Sequence, residues 1–192
     1  MKLKPFVALA LASLLAAAAQ AGAAVISIGS GADSAFFVLE SANIGSRTYE
    51  IHFDNNVSEP LDGYDLLQMV DAFEPNLSVL AFNFGSEEAP NYFVNSITWQ
   101  GVTETNAEDF SAYWGQFVAG GQAGFPAASP VPAGTWTFGS GLSAPSRVVE
   151  PGSWDGLVFG DGSLAPGVNP VPEPASALLA LGGLLAFLKR RR

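Results

Sequence analysis

Hydrophobic and polar positions divide the chain into three regimes. Residues 6–19 and 175–188 are apolar runs without a charge. Between them apolar residues come in short stretches broken by Gly, Pro, Ser and Asp, the pattern of strands joined by turns. Residues 25–28, 35–40, 77–84 and 92–99 read as strands. Residues 48–53 alternate, with Tyr49, Ile51 and Phe53 facing one way and Thr48, Glu50 and His52 the other. Residues 135–138, 147–150 and 156–159 are shorter strand candidates. The rest of 100–170 reads as looser, with Gly120-Gly121, Ala123-Gly124-Phe125-Pro126 and Ser129-Pro130-Val131-Pro132 as loop material.

One stretch changes period. In residues 62–73 the apolar positions Leu66, Leu67, Val70 and Phe73 recur at helical spacing. Asp62 suits the N-cap, Asp65 sits where the helix dipole favours an anion, and Pro75 ends the helix. One amphipathic helix among many strands predicts an α+β, mostly β domain, with the helix packed across a sheet. A β-sandwich with an edge helix is the alternative. No internal repeat is present.

The two apolar ends predict export. Residues 1–23 combine Lys2 and Lys4, an apolar stretch and two A-x-A sites ending at Ala21 and Ala23, the layout of a secretory signal peptide. Signal peptidase and the Sec translocon are the expected partners. Residues 24–162 form the exported β-rich domain and 163–174 a Pro-rich linker. At about 3.1 Å per residue the linker spans roughly 35–40 Å if extended. Residues 175–188 form a transmembrane segment, and Lys189, Arg190, Arg191 and Arg192 form a basic cytoplasmic stop. As a helix, that segment rises about 21 Å, short of a hydrocarbon core of about 30 Å. Gly182-Gly183 weakens it further. Such an anchor suits a transient inner-membrane stage.

Just before the apolar run stand Pro172, Glu173 and Pro174, which hold the backbone extended. The order Pro-Glu-Pro, apolar segment, basic cluster resembles the PEP-CTERM sorting signal of exported bacterial proteins. The resemblance covers about a ninth of the chain, and it is the three-part order that makes it specific. It implies recognition by a membrane-embedded exosortase, removal of the tail, and a Gram-negative cell that makes exopolysaccharide. Localisation at the cell surface or outside the cell follows, with exopolysaccharide as the expected matrix partner.

Charge sharpens the division. Six of the eight Lys and Arg lie in the end segments, whereas all but one of the 18 acidic residues lie between residues 24 and 170. Arg47 and Arg147 are the only cations there, so the region carries about −15 and repels nucleic acid and anionic lipid. The absence of cysteine excludes disulfides, thiol catalysis and Cys-ligated metals.

Catalytic chemistry finds little footing in the sequence. His52 is the only histidine, which leaves no second imidazole for a histidine metal site and one candidate for a triad base. It reads as a rim residue beside Glu50. No Walker loop, dinucleotide fingerprint or G-x-S-x-G elbow is present. Glu87-Glu88 and Glu108-Asp109 are carboxylate pairs, but adjacent residues on a turn diverge and a glycosidase needs two acids across a cleft. Asp54-Asn55-Asn56 with Glu59, and Asp161 in Gly160-Asp161-Gly162-Ser163, offer oxygen ligands for calcium without an EF-hand loop, and ordinary Asx turns are the preferred reading of both. The expectation is no catalytic residue, no metal and no cofactor.

Trp99, Trp114, Trp136 and Trp154 lie close together in sequence. They belong either to the core or, if two are exposed and coplanar, to a sugar-binding platform. A second, looser similarity joins Tyr49-Glu50-Ile51, Gly63-Tyr64-Asp65-Leu66-Leu67, Tyr113-Trp114, Gly134-Thr135-Trp136, Gly141 and Gly152-Ser153-Trp154-Asp155-Gly156. Their order resembles small extracellular domains of the transcobalamin C-terminal, β-grasp-like group, although residues 120–133 depart from that spacing. It implies a helix crossing a sheet and a Tyr-Trp pair in a later strand. Two function classes follow: a non-catalytic surface or extracellular-matrix protein, which is the preferred reading, and a secreted acid-residue hydrolase acting on polysaccharide.

Overall fold

The computed structural model describes residues 24–56, 58–86, 89–125 and 128–170. Both apolar ends, the cleavage residues Ala21 and Ala23, the motif Pro172, Glu173, Pro174 and the cluster Lys189, Arg190, Arg191, Arg192 lie outside these residues, as does the pair Glu87-Glu88. Among the described residues no helix is long and apolar enough to cross a membrane.

The chain enters through β1 (Val25–Gly29), β2 (Asp33–Ser41) and β3 (Gly45–Phe53). β2 and β3 form an antiparallel hairpin in continuous register, and β1 runs parallel to β3. Helix α1 (Gly63–Phe73) comes next. The antiparallel meander β4 (Leu77–Asn83), β5 (Tyr92–Trp99) and β6 (Val102–Thr105) follows. β7 (Tyr113–Ala119) returns to the first sheet. The two-residue strands β8 (Gln122–Ala123), β9 (Ser129–Pro130), β10 (Thr137–Phe138) and β11 (Arg147–Val148) lead to β12 (Trp154–Gly160). β12 lies antiparallel to β7 and parallel to β2, which completes a six-stranded sheet of order β1-β3-β2-β12-β7-β10. The meander and β11-β8-β9 are two three-stranded sheets. The result is mostly β with one short helix.

The pattern of apolar residues dictates the layers. Ala35, Phe37 and Leu39 of β2 and Tyr49, Ile51 and Phe53 of β3 point into one core. They meet Leu66, Leu67 and Val70 of α1 and Val94, Ile97 and Trp99 of β5, so the helix and the meander together cover one face of the large sheet. The helix starts where expected: the Asp62 carboxylate accepts from the Tyr64 and Asp65 amides at 2.9 Å, and Asp65 accepts in return from the Asp62 amide at 3.0 Å. This reciprocal cap satisfies N–H groups that have no partner within the helix. Leu66, Leu67 and Val70 are buried, but Phe73 lies half exposed on the last turn.

The other face of the large sheet is also covered. Phe36, Val38, Ala119 and Trp154 form a second core, with Trp136 and Val168 packed on it. The Trp136 Nε1 group donates to the Val168 carbonyl at 2.7 Å, and the Gly167 amide donates to Glu40 Oε2 at 3.1 Å. Pro166 and Pro170 are buried. Residues 163–170, read from composition as an extended spacer, therefore lie as a strap across the sheet. The spacer reading ignores Val168 and the prolines as packing surface. Burial on both faces explains why β2 reads as a near-continuous apolar run.

Residues 100–170 hold more strand than their composition suggests. β6, β8 and β9 fall in stretches that read as loop, and β7 is a buried interior strand. Gly115 and Gln116 interrupt the alternation of β7, and burial on both faces removes the period that would identify it.

Candidate functional site

The site is positioned by a buried charge pair. Arg147 of β11 and Asp155 of β12 have no solvent exposure. Arg147 Nε lies 3.0 Å from both Asp155 oxygens, and Nη2 donates to Asp155 Oδ2. Nη1 donates to the carbonyls of Gly120 and Gln122 at 2.9 and 3.2 Å, fastening the β7–β8 turn. Gln116 Nε2 reaches Asp155 Oδ1 at 3.3 Å. The Gln116 Oε1 atom in turn accepts from the Gly141 amide at 3.1 Å, and its backbone carbonyl accepts from Gly139 at 2.8 Å. A Cβ at 139 would lie 2.3 Å from Gln116 Oε1, so any larger residue there must displace the Gln116 side chain. The loop after β10 is thus wrapped onto Gln116, which is held by the ion pair. The same loop reaches α1 through Gly63 N to Leu142 O at 2.8 Å and Ala144 N to Asp62 Oδ2 at 2.9 Å. Burial raises the Asp62 carboxyl above its usual range.

Between this loop, the start of β7 and the end of the meander runs an open groove of about 590 Å³. That volume falls in the range of small-ligand sites. Trp114, Val94, Leu142 and Leu157 belong to the main core and form its base. Phe84, Phe93 and Phe110 line it, and a chain of phenylalanines runs through them from Phe82 outside the lining. Phe82, Phe84, Phe93 and Phe110 follow one another at ring-centroid separations of 6.4, 6.3 and 6.2 Å, each pair edge-to-face. Phe84 is 71% exposed and Phe110 57%. Phe110 sits in the left-handed backbone region at φ 56°, an unusual conformation for an aromatic residue. Phe138, half exposed, joins the lining and packs edge-to-face on Phe117 at 5.3 Å. Asn91, Ser140, Tyr92 and Tyr113 supply neutral polar groups. No Asp, Glu, His, Lys or Arg lines the groove among the described residues.

The residues singled out from sequence fall elsewhere. His52 stands on β3 with its Nε2 3.9 Å from Glu50 Oε2, both side chains about one-third exposed. Glu108 and Asp109 are exposed on the β6–β7 connection. There Asp109 accepts from the Ser111 hydroxyl at 2.7 Å and from its amide at 3.0 Å, which lowers its pKa. The Ser163 hydroxyl and amide lower the Asp161 pKa in the same way. Asp54 accepts from the Ala32 amide at 3.2 Å and Asn56 from Ser58 at 3.1 Å, so these side chains brace turns. Among the described residues no three His, Asp or Glu side chains converge as metal ligands. Glu104 is buried but committed, accepting from Ser41 at 2.9 Å and Asn43 at 2.7 Å.

The tryptophans divide unevenly. Trp99, Trp114 and Trp154 are buried, and Arg47 caps the Trp99 ring at 4.4 Å. Trp136 is half-buried and meets Trp154 at 88°, so the two rings do not form a coplanar platform. The exposed aromatic surface belongs to phenylalanines that nothing in their spacing singles out. Phe82 meets Phe93 through the β4–β5 register, and Phe110 arrives from a loop. The signal available in the sequence is the number of phenylalanines, 14 against four tryptophans, more than the core takes up.

Comparison of the chain with protein families, with curated proteins and with solved structures finds no match in any of the three.

Proposed function

We propose that this is an exported, non-catalytic surface or extracellular-matrix protein of a Gram-negative bacterium, held in an exopolysaccharide matrix. The single observation that carries the molecular role is the aromatic groove. Its rings and neutral polar groups suit holding a ligand. Hydrolysis of a glycosidic bond would need a proton donor and a base or nucleophile on opposite sides of the bond, which is what the alternative reading requires.

The route outward rests on the ends of the sequence. The Sec translocon and signal peptidase would process the chain at Ala21 or Ala23. Residues 175–188 would anchor it briefly in the inner membrane, with Lys189, Arg190, Arg191 and Arg192 inside. An exosortase would then act at Pro172, Glu173 and Pro174. The strap ties residues immediately upstream of the motif to the folded body, through Val168 on the second core and Gly167 on Glu40. We assign the body to the α+β class rather than to a β-sandwich, because a helix shares the layer that faces the large sheet.

Intact mass of the protein recovered outside the producing cell tests the route, and co-sedimentation with the cell's own matrix polysaccharide tests the role. The expected result is a product lacking both apolar ends that sediments with matrix and releases no reducing sugar. Terminal arginines retained on the extracellular form would overturn the sorting reading. Reducing sugar released by the protein, and lost on replacing a carboxylate by its amide, would establish the hydrolase instead.

A further inference from the structure

We infer that the aromatic groove binds a neutral polysaccharide chain, with the exposed rings of Phe84 and Phe110 as separate contact faces, each steeply inclined to Phe93 between them, and Asn91 and Ser140 as hydroxyl partners. This rests on the matrix reading above and names the ligand class and the residues. Three observations converge on it.

The first is the mixture of chemistries. A sugar ring presents an apolar C–H face and a perimeter of hydroxyls, so its site needs exposed rings together with neutral donors and acceptors. The groove has both. Asn91 and Ser140 are exposed, and Tyr92 and Tyr113 are among the lining residues, none of these side chains engaged in a hydrogen bond with another described residue. A purely apolar partner would leave these groups without hydrogen bonds on binding, each one buried at a cost in affinity.

The second is charge. The region from 24 to 170 is strongly acidic, yet the described lining of the groove carries no charged side chain. A polyanionic chain such as a polyuronate would meet repulsion from the whole body and no cation in the groove. The two arginines are committed elsewhere, Arg147 inside the core and Arg47 over Trp99. A second copy of this protein would bring the same negative charge. A neutral glycan meets no such penalty.

The third is where the rings are held. Phe84 and Phe110 are exposed to a degree that burial in the monomer does not explain. Phe110 also keeps a left-handed backbone at φ 56°, which is strained for a non-glycine residue. Phe84, Phe93 and Phe110 follow one another at centroid separations of 6.3 and 6.2 Å, so a chain laid in the groove meets more than one ring.

The test is retardation of the extracellular form, purified from outside the producing cell, in native gels containing neutral glucans and galactomannans or, separately, alginate. Phe84→Ala and Phe110→Gly remove exposed rings, and glycine suits the backbone at 110, so both variants are expected to keep the melting temperature. The inference expects a neutral polymer to retard the protein at low and high salt, alginate to have no effect, and each variant to lose about tenfold or more in affinity. Neutral-polymer binding that both variants retain would overturn the groove and leave the matrix reading standing. Preference for alginate, falling with salt, would overturn the ligand class. Absence of any polysaccharide binding, with a change of oligomeric state in the variants by light scattering, would show instead a surface for protein partners. Absence of both would overturn the inference, and the mass of the extracellular form would still judge the sorting reading separately.

Discussion

Arg147 and Asp155, eight residues apart in the chain, meet at the centre of the domain with neither exposed to solvent. Most of the acidic charge stays at the surface, and Asp155 is taken fully inside with one of only two cations available to the body. The pair is completed by Gln116 and by the carbonyls of Gly120 and Gln122. Removing one partner of such a pair leaves a charge without compensation in a low-dielectric interior. We predict that Asp155→Asn and Arg147→Met each destabilise the fold by about 3–5 kcal/mol in urea unfolding. The Met variant should also loosen the 120–122 turn, measured as faster amide exchange there. A loss below about 1 kcal/mol would show that the pair is dispensable.

Gly63 gives a second prediction in which two principles oppose each other. Alanine favours a helix by about 1 kcal/mol over glycine in an interior position. Here a Cβ would lie 2.8 Å from Asp155 Oδ1 and 3.2 Å from the Leu142 carbonyl. Packing wins, because both neighbours are fixed, one by Arg147 and the other by the Gly63 amide itself. Gly63→Ala is expected to destabilise by about 1–3 kcal/mol, the usual cost of overpacking. Thermal melts decide the sign, and a gain in stability would mean that the helix start has room to shift.

The strap gives a third. Val168 packs on the second core, and its carbonyl is tied to Trp136. Val168→Asp places a carboxylate against Trp154, Phe36 and Val38, so we predict a loss of about 2–4 kcal/mol and red-shifted tryptophan emission. Trp136→Phe keeps much of the packing but removes the bond to Val168, and should cost about 1 kcal/mol. Equal stability of the Val168→Asp protein in denaturant melts would return residues 163–170 to the role of spacer.

How much of this was legible in the sequence depends on what covers each element. Where one face is buried and one is wet, as in β3, alternation alone places Tyr49, Ile51 and Phe53 inside. Helix α1 was legible for a related reason, with Asp62 and Pro75 bounding a period that only a helix satisfies. β7 was not, because both its faces are buried and Gly115-Gln116 reads as a break. The strap was hidden by composition: prolines that mark a linker also pack well on a flat sheet face. The groove was least legible, since Phe93 and Phe110 come from separate elements and only strand pairing brings Phe82 beside Phe93. The Arg147–Asp155 pair leaves one trace in the sequence, a lone arginine in a region otherwise nearly free of cations.

Asp71 supplies the pH-dependent prediction. It lies in the last turns of α1, where the helix dipole disfavours an anion and no basic side chain offsets it. Its Oδ1 is buried without a hydrogen-bond partner, and burial raises its pKa above the ordinary carboxylate value. A raised pKa in the fold means that the native state binds the proton more tightly than the unfolded chain. The stabilisation is therefore complete below the unfolded pKa and is lost as pH rises through the folded one. At pH 7 the ionised side chain is a liability, softened because much of the group still reaches solvent. Asp71→Asn removes the charge while keeping the shape, so its advantage should be about 0.3–1 kcal/mol at neutral pH. For a domain of this size that is roughly 1–4 °C in melting temperature. The advantage should shrink toward zero by about pH 3.5, where the wild-type carboxyl is itself protonated. Melting curves of both proteins across that range check the prediction, and an asparagine variant less stable at pH 7 than at pH 3.5, relative to wild type, would reverse the assigned sign.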